Sequence, residues 1–336
     1  MIQAAIARLI AGENLDRDEA RGVMEQIMSG GATDAQIGGF LTGLRIKGET
    51  VEEIAGFAET MRSKVTRIQG GQGTLVDTCG TGGDGSGTFN ISTTVAFVAA
   101  GAGLTVAKHG NRAMSSRCGS ADVLAELGVN VEATPEQVGH CLDEAGIGFL
   151  FAPALHGAMK HAIGPRKELA TRTVFNVLGP LTNPAGAKCQ LIGVFAPDLT
   201  ETMARVLGAL GSERAFVVHG HDGLDEITIT GPSRVTELAH GETKTYDVAP
   251  GDFGLQTADA AQLAGGDAAE NAAILTSILE GESGPRADVV VINAAAAIVA
   301  GGKADDLTAG VEVARTAISS GQAHAALHKL RDVSNA

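Results

Sequence analysis

The sequence predicts an α/β protein: a small N-terminal all-helical domain hinged to a larger α/β domain with a mainly parallel central sheet flanked by helices. Three observations predict it. The first 65 residues carry repeated helix starts and no strand pattern. Beyond them, short buried apolar runs alternate with helical stretches, as in a parallel sheet covered on both faces. The interior must be built from small residues, since 336 residues include no Trp, one Tyr and 46 Gly.

Asp16 with Glu19, Thr33 with Gln36 and Thr50 with Glu53 have capping-box spacing, which starts three helices. Gly30, Gly31 and Gly48 stand where helix stops belong. The run QGGQG, residues 69–73, reads as a hinge. Leu75–Thr78 then reads as a strand, and Asn90–Gly103 as an apolar helix. Leu104–Ala107 is a second strand. Ser120–Gly128 is a helix capped by Ser120, and Thr134 with Gln137 starts another. Phe149–Phe151, Gln190–Phe195, Ala215–His219 and Val289–Asn293 read as further buried strands. Residues 156–186 hold Gly164, Pro165, Gly179, Pro180 and Pro184, which predict bends and a second crossing between domains. The expected helical domain is 1–68, joined by part of 155–182; residues 74–155 and 183–336 form the α/β domain.

A formal charge of −14 disfavours nucleic acid or an anionic membrane as partner. Cys79, Cys118, Cys141 and Cys189 form no CxxC or zinc spacing and read as reduced thiols. The N-terminus shows no basic-then-apolar leader, and the apolar run 289–300 is too short to span a bilayer. A cytoplasmic protein is expected.

Ligands of open α/β sheets bind beyond the carboxyl ends of strands. The first strand is followed by CGTGGDGSGTFNIST, with five glycines between Gly80 and Gly87 and Asp84 among them. Glycines let a backbone approach a phosphate, and a helix N-terminus at Asn90, Ser92 and Thr93 favours an anion. Asp84 opposes a bare phosphate. It fits where a divalent cation intervenes or where a sugar hydroxyl donates to it. The second strand is followed by KHGNRAMSSRCGSAD, whose Lys108, His109, Arg112 and Arg117, with Ser115, Ser116 and Ser120, suit several phosphate oxygens. His109 reads equally as a base or a positioning group. Asp225 and Glu226 follow a third strand and could share Mg²⁺ or act as an acid/base pair. Arg166 and Arg172 could each take a carboxylate in two parallel bonds.

GTGGD at 80–84, NIST at 90–93, KHGNRAMSS at 108–116, GSAD at 119–122, RTVFNVLGPLTNPAG at 172–186 and DGLDE at 222–226 together resemble the anthranilate phosphoribosyltransferase family. The resemblance runs in order from about residue 5 to about residue 330. It implies transfer of 5-phosphoribose from phosphoribosyl pyrophosphate (PRPP) to the amine of anthranilate, a step of tryptophan biosynthesis. It also implies Mg²⁺ and a homodimer formed through the helical domain. Gly80, Gly83, Asp84, Thr88, Asn90, Ile91, Ser92 and Thr93 match PRPP-binding positions. So do Lys108, His109, Gly110, Asn111, Arg112, Ala113, Met114, Ser115, Ser116 and Ser120. Ser92, Asp225 and Glu226 match metal positions. Gly80, Asn111 and Arg166 match anthranilate positions, with His109, His156 and Lys160 beside them. Lys108, His109 and Arg166 are the implied catalytic set. HGAMKHA at 156–162 stands where the family often has HPAMKHV, so this wall lacks a proline.

Two other readings fit parts of the pattern. Pyrimidine nucleoside phosphorylases share a related lysine–serine loop but are longer. A non-catalytic relative that binds nucleic acid should be basic and should lack the metal acids.

Overall fold

The computed structural model describes residues 1–113 and 117–336. Met114, Ser115 and Ser116 lie outside the described residues. Four helices open the chain: α1 (Ile2–Ile10), α2 (Arg17–Met28), α3 (Asp34–Lys47) and α4 (Val51–Lys64). All three expected capping boxes form, on Asp16, Thr33 and Thr50. Gly48, at φ 88°, ends α3. Glu53 is fully buried, yet it closes its box, accepts from the Leu15 N–H and pairs with buried Lys47 at 2.9 Å. A buried acid needs such partners.

Seven strands form one sheet: β1 (Leu75–Gly80), β2 (Thr105–Gly110), β3 (Ile147–Phe151), β4 (Cys189–Gly193), β5 (Arg214–Gly220), β6 (Ser233–Ala239) and β7 (Glu242–Val248). Their order is β3-β2-β1-β4-β5-β6-β7, parallel from β3 to β5 and antiparallel across β5, β6 and β7. The order reverses between β1 and β4, so the crevice of the sheet opens above Gly80 and Gly193, which are register partners.

The β6–β7 hairpin was not expected. Its turn is His240–Gly241, both at positive φ (54° and 80°), as a two-residue hairpin with right-handed strand twist requires. The other helices are α5 (Ile91–Gly101), α6 (Ser120–Glu126), α7 (Pro135–Ala145), α8 (Ala152–Leu155), α9 (Lys160–Leu169), α10 (Phe175–Leu178), α11 (Leu199–Ala209), α12 (Ala268–Leu279), α13 (Pro285–Ala300), α14 (Leu307–Ser319) and α15 (Gln322–Ser334).

Two expectations are corrected. Val289–Asn293 is not a strand but part of α13, in which every residue from Val289 to Ala300 is buried. A helix buried all round has no polar face, so its apolar run carries no period to separate it from a strand. Its alanines and Pro285 at the first turn favour the helix. Ser120 does not cap α6: the N-cap position is Gly119, and the Asp122 carboxylate takes the Gly119 N–H.

The sheet separates two cores by strand alternation. On β5, Phe216 and Val218 face a core with α5, α13, α14 and α15. Ala215 and Val217 face one continuous with α1–α4, α9, α10 and α11. Arg17 and Arg62 tie α2 and α4 to the C-terminal end of α11. Arg17 donates to the Ala209 carbonyl (3.0 Å) and Arg62 to the Leu210 (3.3 Å) and Leu181 (2.7 Å) carbonyls. Cations at a helix C-terminus offset its free carbonyls. The glycine run 69–73 is also pinned. Thr66 donates to Leu155, Ile68 to Pro184, and Gly71 to Asp143 (2.8 Å).

Candidate active site

Beyond β1 the chain makes an open turn, with Gly82, Gly83 and Gly85 at φ 66°, 76° and 74°. A Cβ on Gly80 would lie 2.7 Å from the Asp225 carboxylate, and one on Gly193 would lie 1.6 Å from the Asp225 carbonyl. Those glycines let the Asp225 loop descend onto the crevice. Asp225 accepts the Gly82 N–H at 2.9 Å, and Asp84 approaches the Asp225 N–H at 3.5 Å. The main-chain N–H groups of Gly83, Asp84 and Gly85 donate to no protein acceptor among the described residues. Successive free N–H groups in left-handed backbone form an anion-binding concavity.

Burial and Asp84 push the Asp225 carboxyl up to about 7. Burial and Asp225 push Glu226 well above the usual carboxylate range, against the pull of Lys108 and of the Ser92 N–H. Two buried acids that resist ionising together are suited to a cation. Ser92, at the first turn of α5, presents its hydroxyl to Lys108 Nζ (3.4 Å), which also donates to the Thr78 carbonyl at 2.6 Å. Among the described residues no three His, Cys, Asp or Glu side chains close on one point. Mg²⁺ is usually held by one or two carboxylates, with waters and substrate phosphates completing the shell. Asp225, Glu226 and Ser92 fit that manner of binding.

The second loop is arranged differently from the sequence reading. Lys108 is 3% exposed, and burial lowers its pKa while Asp77 and Glu226 support its charge. It lies beneath the α5 N-terminus rather than on an open loop. Arg112 is committed to Asp122 (3.2 Å) and Glu132 (3.4 Å). Asn111 donates its N–H to Ser120 Oγ (3.1 Å), and that hydroxyl donates back to the Asn111 carbonyl (3.2 Å). Ala113 donates to Asp122, and Gly110 packs on Ser120. Ile91 is buried in the core. Thr93 Oγ1 is buried without a protein partner among the described residues. Thr88 bridges to Ala264, and Asn90 is held by the Asn271 amide at 2.9 Å.

His109 and His156 meet Nε2 to Nε2 at 3.1 Å. Between two neutral imidazoles one ring donates and the other accepts, and the Gly179 main chain supports charge on His109 against larger opposing causes. Burial first, then His156 and Lys108, push His109 down to about 3; burial pushes His156 down to about 4. Both are neutral at pH 7, which weighs against either as a proton donor. Arg166 lies over the Phe175 ring at 5.2 Å with no carboxylate partner among the described residues, and burial lowers its pKa. Arg172 has no carboxylate partner among the described residues: it donates to the Gly83 carbonyl and stacks on Phe195 at 4.1 Å.

Several supporting residues were invisible in the sequence. Fully buried Asp77 accepts the His109 N–H (3.0 Å) and the Asn183 amide (2.8 Å), and Asn183 also holds the Ala107 carbonyl (2.8 Å). Asn293 on α13 accepts the Ile227 N–H (2.9 Å) and donates to the Ile227 carbonyl (2.8 Å). It thereby fixes the residue next to Glu226. Such long-range amide clamps leave no local pattern.

The chain matches the helical bundle domain of a glycosyl transferase family over residues 3–65 and that family's a/b domain over residues 72–324. It is 58% identical over 330 residues to the anthranilate phosphoribosyltransferase of Moorella thermoacetica, covering 98% of this chain and 97% of the relative. It is 55% identical over 349 residues to that of Geobacter sulfurreducens, covering all of both chains. Among solved structures, the anthranilate phosphoribosyltransferase of Thermus thermophilus superposes with a TM-score of 0.94 at 45% identity, over 99% of each chain. The Saccharomyces cerevisiae enzyme in complex with PRPP and Mg superposes with a TM-score of 0.90 at 29% identity, over 99% of this chain and 98% of that one.

Proposed function

We infer the activity from one premise: the chain belongs to the anthranilate phosphoribosyltransferase family of glycosyl transferases. It is a transferase that moves 5-phosphoribose from PRPP to the amine of anthranilate, releasing pyrophosphate, in tryptophan biosynthesis. In the reaction the anthranilate nitrogen bonds to C1 of the ribose, the C1–O bond to pyrophosphate breaks, and the amine loses a proton.

The observation that carries the site assignment is the run of N–H groups at Gly83–Gly85, without a protein acceptor among the described residues, beside the buried Asp225–Glu226 pair. That turn, with the α5 N-terminus from Asn90 to Thr93, would hold the PRPP phosphates and ribose. Asp225, Glu226 and Ser92 would hold Mg²⁺, which, when bound, neutralises charge on the departing pyrophosphate. Lys108 orients the Ser92 hydroxyl and balances Glu226. Arg166, without a carboxylate partner among the described residues and partly desolvated, would take the anthranilate carboxylate. Neutral His109 and His156 offer hydrogen bonds rather than charge to the acceptor. Anthranilate is nucleophilic as the neutral amine, so positioning and charge stabilisation carry most of the rate. Asn111 and Gly80 would line the acceptor side, and Lys108–Ser116 with Ser120 the phosphoribosyl side.

The division into residues 1–68 with part of 155–182 against 74–155 with 183–336 would set two bodies that close over the substrates and exclude water. A homodimer through the helical domain is the assembly that the family resemblance implies. No helix among the described residues is long and apolar enough to cross a membrane. A cytoplasmic place fits the biosynthetic role. Release of pyrophosphate from PRPP tests the reading: it should require both anthranilate and Mg²⁺. Release independent of anthranilate would refute it.

A further inference from the structure

We propose that Arg172 is a positioning residue for the phosphate-binding turn: by holding the Gly83 carbonyl it aims the Asp84 N–H at the phosphoribosyl ligand. The proposal rests on reading that turn as the PRPP site.

Successive residues of the turn are held by different parts of the chain. Thr81 donates its N–H to the Gly193 carbonyl (2.8 Å), and its hydroxyl accepts the Phe195 N–H (3.1 Å). Gly82 donates to Asp225 (2.9 Å). Gly83 accepts from Arg172 Nη2. Among the described residues Arg172 is the contribution to this turn from the segment that also carries His156 and Arg166.

The geometry explains why a hold is needed. Gly82 and Gly83 stand at positive φ with no Cβ to restrict them, and glycine visits both signs of φ at little cost. An unrestrained 83–84 peptide would therefore sample opposite orientations. In a trans peptide the carbonyl and the following N–H point opposite ways. Fixing the Gly83 carbonyl toward Arg172 fixes the Asp84 N–H away from it. That N–H donates to no protein acceptor among the described residues.

Arg172 is itself fixed. Its guanidinium lies 4.1 Å over the Phe195 ring, and the Phe195 main chain is tied to Thr81. It has no carboxylate within ion-pair distance among the described residues. A Cβ on Gly83 would come 3.4 Å from Arg172 Nη2, an ordinary contact, so the glycine is required by its φ of 76° rather than by space. Stacking and a rigid fork favour arginine over lysine at this place.

The test compares wild type, Arg172→Met and Arg172→Lys as full chains. It measures steady-state kinetics, calorimetric binding of PRPP with Mg²⁺, melting temperature and amide exchange across residues 81–88. For Arg172→Met the expected result is a rise of about tenfold in PRPP KM and Kd, the effect of one charge-assisted hydrogen bond. Exchange in the turn should quicken, while anthranilate KM, kcat at saturation and melting temperature stay within error of wild type. Arg172→Lys should fall between. Unchanged PRPP affinity and turn exchange overturn the proposal. A rise confined to anthranilate KM also overturns it, since Arg172 would then serve the acceptor carboxylate. If Arg172→Met does not fold, Arg172→Lys decides by the same readings, and wild-type values overturn the proposal. If wild type itself binds no PRPP, the functional reading fails, while the exchange comparison still decides what Arg172 does to the turn.

Discussion

Replacing His156 with glutamine should change how the protein responds to acid, by an amount the structure sets. His156 is pushed from 6.5 to about 4 by burial, and its Nε2 faces His109, itself pushed to about 3. Protonating the accepting ring would set two donors against each other, and a charge on His109 would stand near buried Lys108. Folded values below the unfolded one mean that the unfolded chain takes up protons first. Stability is then full above about pH 6.5 and falls as pH drops toward the folded value. For His156 alone, from a folded value of about 4, the loss between about pH 7.5 and pH 5 is about 2 kcal/mol. For a chain of 336 residues that is about 3 °C in melting temperature. Glutamine keeps an amide N–H at the Nε2 position and does not titrate. Melting of both proteins at the two pH values isolates the term, because every other titrating group is common to both. Wild type should lose about 3 °C more than the His156→Gln protein. Equal losses would refute the neutral-pair account.

Other consequences are equally direct. Arg166→Ala should raise anthranilate KM by about 10- to 100-fold through loss of a charged hydrogen-bond partner, with Arg166→Lys partway back; an unchanged KM removes Arg166 from the acceptor site. Asp225→Asn combined with Glu226→Gln should abolish the Mg²⁺ titration of activity. Asp225, raised to about 7, contributes stability at low pH that is lost as pH rises through that value, so the double variant should lose less stability than wild type between about pH 5 and pH 8. A normal Mg²⁺ titration counts against these acids. Asn183→Ala leaves buried Asp77 and the Ala107 carbonyl each one partner short and should cost about 2–4 kcal/mol in urea unfolding; a loss below about 1 kcal/mol contradicts that clamp. Ala170 ends α9 at φ 47°, so Ala170→Gly should stabilise by about 0.5–1 kcal/mol; destabilisation would show the strain is absent.

What the sequence made legible was local. Capping boxes at Asp16, Thr33 and Thr50, the Thr134 cap, and strand runs ahead of glycine or polar loops all declare themselves within a few residues. The glycine turn and the Asp225–Glu226 pair were visible for the same reason. What failed was nonlocal. The apolar stretch of α13 looked like a strand because every side of it is buried, and nothing local marked Asn293 within it as a clamp on Ile227. The β6–β7 hairpin was missed because β7 is largely exposed and polar. Arg172 was read as one of two arginines that could take a carboxylate, and its hold on the turn was not foreseen. Its carbonyl acceptor lies 89 positions away, and only the folded chain brings them together.

The central claim is that this site joins anthranilate to the phosphoribosyl group of PRPP. The direct measurement is anthranilate fluorescence during incubation with the purified protein. Loss of fluorescence that requires anthranilate, PRPP and Mg²⁺ together is the predicted result. Constant fluorescence, with folded protein and intact PRPP, would contradict the account, and phosphate-dependent cleavage of thymidine or uridine in the same preparation would assign the chain to the phosphorylases instead.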